Sequence, residues 1–320
     1  MPKINGLVVG VSMAPSRRQF IGLMGAALLG GCSGAPENAN EHGWGKQGRR
    51  LGEFLRPRAI GVHDGEVFVI DMSGRVQVFD ESGEFLRYWP LEKTDNGTPT
   101  AIAFHEDGRI LIPDTHNSRV LEYDREGSML THWGSFGTDA GHFIYPTGLV
   151  LGPDNEFILS EYGNGAERVH IFDADRNFLR EWGEHGEGSG EFNRAMAIGR
   201  NSLDEIFVAD TANHRVQVFD LEGTWIRSIG ESGMEPGQLK YPHDMTVADD
   251  DTIYVAEYGS HRVSRFDREG TLIEIFGEAG RGPGQLNAPR GVAVSPAGRV
   301  YVADTDNNRI QVFDAQRWSA

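Results

Sequence analysis

The sequence predicts an all-β fold: a six-bladed β-propeller, closed by an N-terminal strand that completes the last blade. Two observations predict this fold. Segments of similar sequence recur six times, 42 to 49 residues apart, and this period fits one four-stranded blade. The last repeat ends without an outer strand, while a segment that matches such a strand stands at the other end of the chain.

The first 31 residues resemble an export signal rather than a part of the fold. Arg17 and Arg18 precede an apolar run that is too short to span a bilayer, as in a twin-arginine signal peptide. The segment that ends at Cys32 resembles a lipobox, whose cysteine is lipidated. The resemblance implies a bacterial lipoprotein that is anchored to a membrane, the outer membrane being favoured, and that faces the periplasm. A generic charged region and a buried thiol are the alternatives.

Composition and domain layout narrow the possible functions. Residues 32–41 have no apolar periodicity and predict a flexible tether, and residues 42–320 form the predicted propeller. The net charge of −17 disfavours nucleic acid as a partner, because an acidic surface repels phosphate backbones. The single cysteine excludes disulfides within the chain.

Each predicted blade has the same internal order of motifs. Each repeat begins at a start point, continues into a β-rich run closed by an acidic residue, and then reaches an arginine that opens a further strand. The start points are Pro57, Pro99, Pro146, Asn193, Pro242 and Pro289. The acidic residues are Asp71, Asp114, Glu161, Asp210, Glu257 and Asp304. The arginines are Arg75, Arg119, Arg168, Arg215, Arg262 and Arg309.

The four strands of a blade, called a to d, differ in side-chain size. Strand a is small and apolar, as in Gly291–Val294, which suits the crowded centre of a ring. Strand d is large, as in Phe178–Trp182, which suits the rim. The N-terminal Gly43-Trp44-Gly45 matches the ends of other d strands, so we expect it to complete blade six and remove the free edges of an open sheet.

The last repeat carries a family resemblance. Gly284–Val294 followed by Val300–Phe313 resembles one NHL repeat, and the likeness extends over about residues 42–314. WD-type repeats fit less well, because their Gly-His and Trp-Asp dipeptides do not recur in each blade. The resemblance implies a six-bladed propeller of the NHL type.

The six acidic residues and six arginines flank the turn between strands b and c. We interpret each pair as a clamp that orders its own turn, because six equivalent copies are too regular for one active site. A ring of carboxylates that binds a cation is the alternative.

Candidate ligand-binding residues lie where the repeats differ. In similar propellers the residue after each start point lies at the mouth of the central channel. At four of these positions the side chain is basic: Arg58, Arg194, His243 and Arg290. Such an arc could bind carboxylate or phosphate, unless each arginine pairs with a neighbouring acid. The remaining two positions are Thr100 and Thr147.

Two tyrosines mark a second departure from the repeat. Tyr162 and Tyr258 follow the acidic residue in blades three and five, where blades two, four and six have threonine. They could stack on a ligand or donate a proton. Packing within the turn is the alternative.

Two functions are compatible with these residues. The first is a membrane-tethered binding or scaffold propeller for a protein or a small anion, with no cofactor and no catalytic residue identified. The second is a lyase or hydrolase, similar to the amidating-lyase-like or gluconolactonase-like propellers. The former hold a metal with histidines, but only His243 stands at the mouth positions. The gluconolactonase-like propellers hold a divalent ion with carboxylate and amide groups, and Glu161 and Asn164 are candidates for such a site. Binding of a divalent cation is therefore an open alternative.

Overall fold

A computed structural model describes residues 43–92, 96–163 and 165–315. Six antiparallel four-stranded sheets surround a central axis, which confirms the predicted six-bladed propeller. In chain order the strands that precede blade four are β1 (Gly43–Trp44), β2 (Pro57–His63), β3 (Glu66–Asp71), β4 (Arg75–Asp80), β5 (Phe85–Pro90), β6 (Ala103–Phe104), β7 (Ile110–Asp114), β8 (Arg119–Tyr123), β9 (Met129–Trp133), β10 (Tyr145–Leu151), β11 (Phe157–Tyr162), β12 (Arg168–Phe172), β13 (Phe178–Trp182), β14 (Glu184–His185) and β15 (Glu191–Phe192).

Blades four to six contain the remaining strands and close the ring. They are β16 (Ala195–Arg200), β17 (Ile206–Asp210), β18 (Arg215–Phe219), β19 (Trp225–Ile229), β20 (Pro242–Val247), β21 (Ile253–Glu257), β22 (Arg262–Phe266), β23 (Leu272–Phe276), β24 (Glu278–Ala279), β25 (Gln285–Leu286), β26 (Gly291–Val294), β27 (Arg299–Asp304) and β28 (Arg309–Asp314). Short 3-10 turns occupy Thr115–Asn117, Pro153–Asn155, Thr211–Asn213 and Thr305–Asn307. The parallel pairs β14–β15 and β24–β25 lie in the connections between blades.

The position of each strand in its blade follows from its sequence. The second strand of a blade, such as β17, is buried at every residue because it packs against neighbouring blades on both faces. Outer strands alternate between half-buried and exposed side chains, as in β13, because one face points to solvent. The innermost strands line the axial channel.

The core is divided among the six interfaces between neighbouring blades. Each interface contains its own cluster of buried apolar side chains. The interface between blades six and one is built in the same way: Phe54 and Phe79 of the first blade pack with Tyr301 and Ile310 of the last. The ring is therefore closed by a hydrophobic interface like the other five.

The predicted closing strand is present. Strand β1 pairs with β28 through Gly43–Gln311 and Trp44–Ile310, so it is the outer strand of blade six. The Trp44 ring centroid lies 5.5 Å from that of Phe79 in blade one. The Thr305 hydroxyl also donates to the Pro57 carbonyl at 2.7 Å, which joins the two blades at the channel end.

Each acidic residue that closes strand b contacts the arginine that opens strand c, which confirms the predicted clamps. In blade four, the fully buried Asp210 carboxylate accepts from Arg215 Nε at 2.8 Å and from the Asn193 backbone N–H at 2.7 Å. The nitrogen–oxygen distances in the other five blades are 3.6 Å for Arg75–Asp71, 2.9 Å for Arg119–Asp114, 2.7 Å for Arg168–Glu161, 2.8 Å for Arg262–Glu257 and 2.7 Å for Arg309–Asp304.

Several predictions fall outside the described residues. These are the export signal with Arg17 and Arg18, the lipidation site Cys32, and the amide candidate Asn164. Within the described ranges, no helix has the length and apolarity that crossing a membrane requires.

Candidate functional site

The candidate site lies where the innermost strands begin. In blades one, three and five a β-bulge follows the first strand residue, after Pro57, Pro146 and Pro242. The extra residue of each bulge is Arg58, Thr147 or His243. A bulge removes one residue from the regular ladder and turns its side chain away from the sheet. These bulges therefore occupy the predicted mouth positions.

The two threonines at the mouth join neighbouring blades. Thr100 Oγ1 donates to the Thr147 carbonyl at 3.3 Å, and Thr147 Oγ1 donates to the Ala195 carbonyl at 2.7 Å. Both side chains are buried. Their hydroxyl groups thus connect blades two, three and four. The basic residues are the remaining candidates for contact with a ligand.

The predicted start of blade four needs correction. Ala195, rather than Asn193, pairs with the acidic residue that closes strand b, as Pro57 does in blade one. Arg194 therefore corresponds to Arg56, and Met196 takes the position of Arg58. Arg194 and Arg56 share a left-handed backbone, with φ of 64° and 50°. Blade four lacks the proline that marks the start of the other repeats, which explains the error.

Arg194 still belongs to the mouth, because its side chain extends towards blade three. Its guanidinium carbon lies 5.1 Å from the ring centroid of Tyr162. Its backbone N–H donates to Glu167 Oε2 at 2.9 Å, and the same carboxylate accepts from the Gly163 N–H at 3.2 Å. Burial raises the pKa of Glu167. This buried glutamate, in the longer turn of blade three, fixes the backbone of Arg194, and the sequence did not single it out.

Arg290 is held by two residues of blade five. Its guanidinium carbon lies 4.7 Å from the ring centroid of Tyr258, and its Nη1 lies 3.2 Å from His243 Nε2. His243 Nδ1 lies 3.1 Å from the Arg290 carbonyl oxygen. Burial and the nearby Arg290 charge lower the pKa of His243 to about 3, so the imidazole is neutral. Nδ1 therefore donates to the carbonyl, while Nε2 accepts from the guanidinium.

Arg58 is the most buried cation of the site. Its Nε is enclosed and has no hydrogen-bond partner among the described residues. Burial and the positive charge of Arg290 lower its pKa to about 10. The Arg194 charge also lowers the pKa of Arg58, and the Arg58 charge in turn lowers the pKa of His116 in blade two.

His116 was missed as a mouth residue. Its pKa is lowered by burial and by the Arg58 charge, and its Nδ1 is enclosed without a partner in the described structure. Its ring centroid lies 6.0 Å from that of Tyr145, which in turn lies 5.4 Å from that of Tyr162. The blade-two and blade-three side of the mouth is therefore aromatic. The repeat pattern does not identify His116, because its interaction with the Arg58 charge depends on the curvature of the ring.

None of the three mouth arginines forms an ion pair with a carboxylate in the described residues. The described residues therefore contain no carboxylate partner of the kind that this alternative requires for Arg58, Arg194 and Arg290. By contrast, Arg56 forms an ion pair with Asp306 at 2.8 Å. Such a group of unpaired guanidinium groups can bind an anion.

Below the mouth, the innermost strands of all six blades enclose a channel cavity of about 230 Å³. Most of the residues that line it have apolar side chains, and Asp244 is one of the exceptions. Asp244 Oδ2 accepts from the Val292 N–H at 2.9 Å, and burial raises the pKa of Asp244 to about 7. A carboxyl group with a pKa raised to about 7 therefore lines the channel.

The described residues contain no cluster of three or more His, Cys, Asp or Glu side chains arranged to hold a metal ion. Glu161, a candidate for such a site, is instead enclosed by protein groups. Its carboxylate accepts from Arg168 at 2.7 Å and from the Ile144 N–H at 2.6 Å, and it lies 2.9 Å from His170 Nε2.

Two family models match parts of the chain. The NHL repeat model matches residues 286–313, and a family described as a 6-bladed beta-propeller matches residues 197–275. Both matches agree with the observed propeller.

Similar proteins include enzymes. The peptidylglycine alpha-amidating monooxygenase of Rattus norvegicus is 26% identical over 168 residues, 49% of this chain but only 16% of that protein. A streptogramin B lyase structure aligns with a TM-score of 0.58 at 14% identity, over 81% of this chain and 94% of the lyase. A luciferin-regenerating enzyme aligns with a TM-score of 0.59 at 12% identity, over 81% and 90% of the two chains. Likeness at such low identity to the two solved structures shows the fold alone.

Proposed function

We propose that this chain is a binding propeller whose channel mouth holds a small anion through carboxylate or phosphate oxygens. The observation that carries the proposal is the set of three guanidinium groups that have no carboxylate partner among residues 43–92, 96–163 and 165–315. A cation removed from water is unfavourable unless a counter-charge is nearby, and Arg58 is largely buried. An anionic ligand would supply that counter-charge.

The residues around the arginines support binding rather than a purely structural role. Tyr162 and Tyr258 hold two guanidinium groups by cation–π contact. Neutral His243 accepts from Arg290 and so orients it without adding positive charge. Arg194 and Arg290 are thus held in place before a ligand arrives, which lowers the entropy lost on binding.

The test is a thermal-shift titration of the full chain with succinate, citrate and phosphate at constant ionic strength. We expect each bound anion to raise the melting temperature. Arg58→Met should reduce these shifts and leave the free protein equally or more stable, because it removes a half-buried cation that has no carboxylate partner among the described residues. Arg281→Met removes an exposed arginine from the connection before blade six and should retain the shifts. Unchanged shifts in Arg58→Met, or no shifts in the parent protein, would refute the proposal.

A lyase or hydrolase is the second candidate. Two of the similar proteins are a lyase and an amidating enzyme, and the name of the latter refers to peptidylglycine, which carries a carboxylate. The mouth would offer the Tyr162 and Tyr258 hydroxyls as proton donors beside the arginines that bind such a carboxylate. Elemental analysis of the purified protein tests the metal-dependent version, since one divalent ion per chain is expected there and none under our proposal.

We further propose that lipid on Cys32 tethers the propeller to a bacterial membrane, the outer membrane being favoured, on the periplasmic side. The support is the arginine pair, apolar run and cysteine in the order of an exported lipoprotein. Cys32→Ser should move the chain from the membrane to the soluble fraction. Replacing both Arg17 and Arg18 by lysine should block export. A membrane-bound Cys32→Ser chain would contradict the lipid anchor.

A further inference from the structure

The mouth carries more positive charge than one monoanion can neutralise. Arg58, Arg194 and Arg290 contribute three charges, and no carboxylate in the described residues pairs with them. The nearby imidazoles add none at neutral pH, because burial and neighbouring arginines lower the pKa values of His243 and His116. The uncompensated charge of these groups is therefore about three, counted from the ionised side chains.

These charges act on one another at the mouth, where Arg58 and Arg290 are half-buried and Arg194 is exposed. Arg290, Arg56 and Arg194 all contribute to lowering the Arg58 pKa, after burial itself. Charge interactions at close range are several times stronger near such sites than in bulk water. The first negative charge of a ligand leaves most of the repulsion among the three arginines in place. A second negative charge on the same ligand therefore still increases the binding free energy.

The orientation of the arginines favours a ligand that carries several anionic oxygens, on one group or on two. Arg194 is held by blade three and Arg290 by blade five, from different sides of the mouth. Both charges lower the pKa of Arg58, the third arginine of the mouth, in addition to the larger effect of burial. Guanidinium groups bind carboxylate or phosphate oxygens through paired N–H donors. A compact ligand with several such oxygens can contact all three.

We infer that the mouth selects compact dianions or trianions over monoanions of the same size. Dicarboxylates, tricarboxylates and phosphate all carry the several anionic oxygens that such a site requires. This inference rests on the proposed function of the mouth and adds the charge class of its ligand. It also explains why a protein with a net charge of −17 keeps at one opening three arginines for which the described structure shows no carboxylate partner.

The experiment compares succinate with succinamate, which has nearly the same shape but one carboxylate replaced by an amide. Isothermal titration calorimetry of the full chain at pH 7.5 and constant ionic strength measures both affinities. We expect succinate to bind at least about tenfold more tightly, the factor that corresponds to about 1.4 kcal/mol. Tricarballylate and inorganic phosphate are titrated in parallel and show which source of multivalent anion the site prefers.

Arg58→Met tests the origin of the selectivity. Removing the Arg58 charge should reduce the succinate-to-succinamate ratio, whereas Arg281→Met, which alters an exposed arginine, should leave it unchanged. Equal affinities for succinate and succinamate in the parent protein would overturn the inference and leave anion binding intact. Absence of binding by every anion would instead refute the proposed function. A ratio that is the same in Arg58→Met would also overturn the inference, because the selectivity would then not come from the mouth charges.

Discussion

Truncating Trp44 should weaken the closure of the ring. Its half-buried ring packs against Phe79 of blade one and Tyr301 of blade six, and a Cβ atom at Gly83 would lie only 2.7 Å from it. Replacing buried tryptophan by alanine costs about 3–5 kcal/mol, and partial exposure places Trp44→Ala near the lower end. A loss of about 3 kcal/mol corresponds to a fall in melting temperature of about 5 °C for a domain of this size.

Differential scanning calorimetry of the full chain measures this effect against two matched variants. Trp182 is the corresponding rim residue of blade three, where the outer strand follows in the same covalent segment, so Trp182→Ala should be similarly destabilising. Trp225 is 39% exposed on blade four, so Trp225→Ala should cost less than about 1 kcal/mol. If Trp44→Ala behaves like Trp225→Ala while Trp182→Ala is destabilised, the outer strand β1 does not hold the ring closed.

Three further predictions concern the buried polar groups. Burial raises the pKa of Asp244 to about 7, so the folded state retains a proton that the unfolded chain releases above the ordinary pKa of 3.8. The free energy of unfolding should therefore fall as pH rises between these two values. Asp244→Asn should flatten this fall, which urea unfolding at pH 5 and pH 8 measures. The Nδ1 atom of His214 accepts from the Tyr241 N–H at 3.0 Å, and burial lowers the pKa of this imidazole. The free energy of unfolding should therefore fall as pH falls below 6.5, because the unfolded chain binds the proton more readily. His214→Asn keeps an acceptor and should reduce the difference in unfolding free energy between pH 7 and pH 5. Glu167→Ala leaves the Arg194 and Gly163 N–H groups without their acceptor, so it should lower the free energy of unfolding by about 2 kcal/mol and weaken succinate binding. Glu167→Gln keeps an acceptor oxygen and should recover part of the stability and part of the affinity, as measured by the same calorimetric assays.

The fold could be predicted from the sequence because every blade repeats the same local chemistry. An acidic residue, a turn and an arginine recur at the same place, and each repeat can bury its apolar faces only against its neighbours. Closure was predictable because the outer strand that blade six lacks appears as Gly43-Trp44 at the other end. The start of blade four was not placed correctly, since Asn193 was taken as the start in the absence of a proline. The match between Gly190-Glu-Phe-Asn-Arg194 and Gly52-Glu-Phe-Leu-Arg56 carried the correct register.

The site was only partly predictable because its geometry depends on side chains that reach between blades. The positions of Arg58, His243 and Arg290 followed from the repeat, whereas their lack of carboxylate partners required the structure. The contribution of Glu167 depends on a single longer turn whose path no repeat pattern specifies. His116 is one of several histidines at equivalent turns, and only its interaction with the Arg58 charge distinguishes it.

The tyrosines show how the repeated scaffold was adapted to hold cations. In blade four, the Thr211 hydroxyl donates to the Pro242 carbonyl of the next blade at 2.6 Å, and Thr305 of blade six does the same to Pro57 at 2.7 Å. Tyr162 and Tyr258 stand at this position in blades three and five, and each ring instead lies against an arginine of the next blade. A buried hydrogen bond is worth about 1 kcal/mol, so the exchange costs little stability at each junction. At the junction after blade three, Thr147 donates to the Ala195 carbonyl and compensates for the lost threonine. Blade one has Met72 at this position, and the Thr115 hydroxyl of blade two has no partner among the described residues. Tyrosine stands at this position only in the two blades whose next junctions present Arg194 and Arg290, as expected if these two blades were shaped by what the mouth binds.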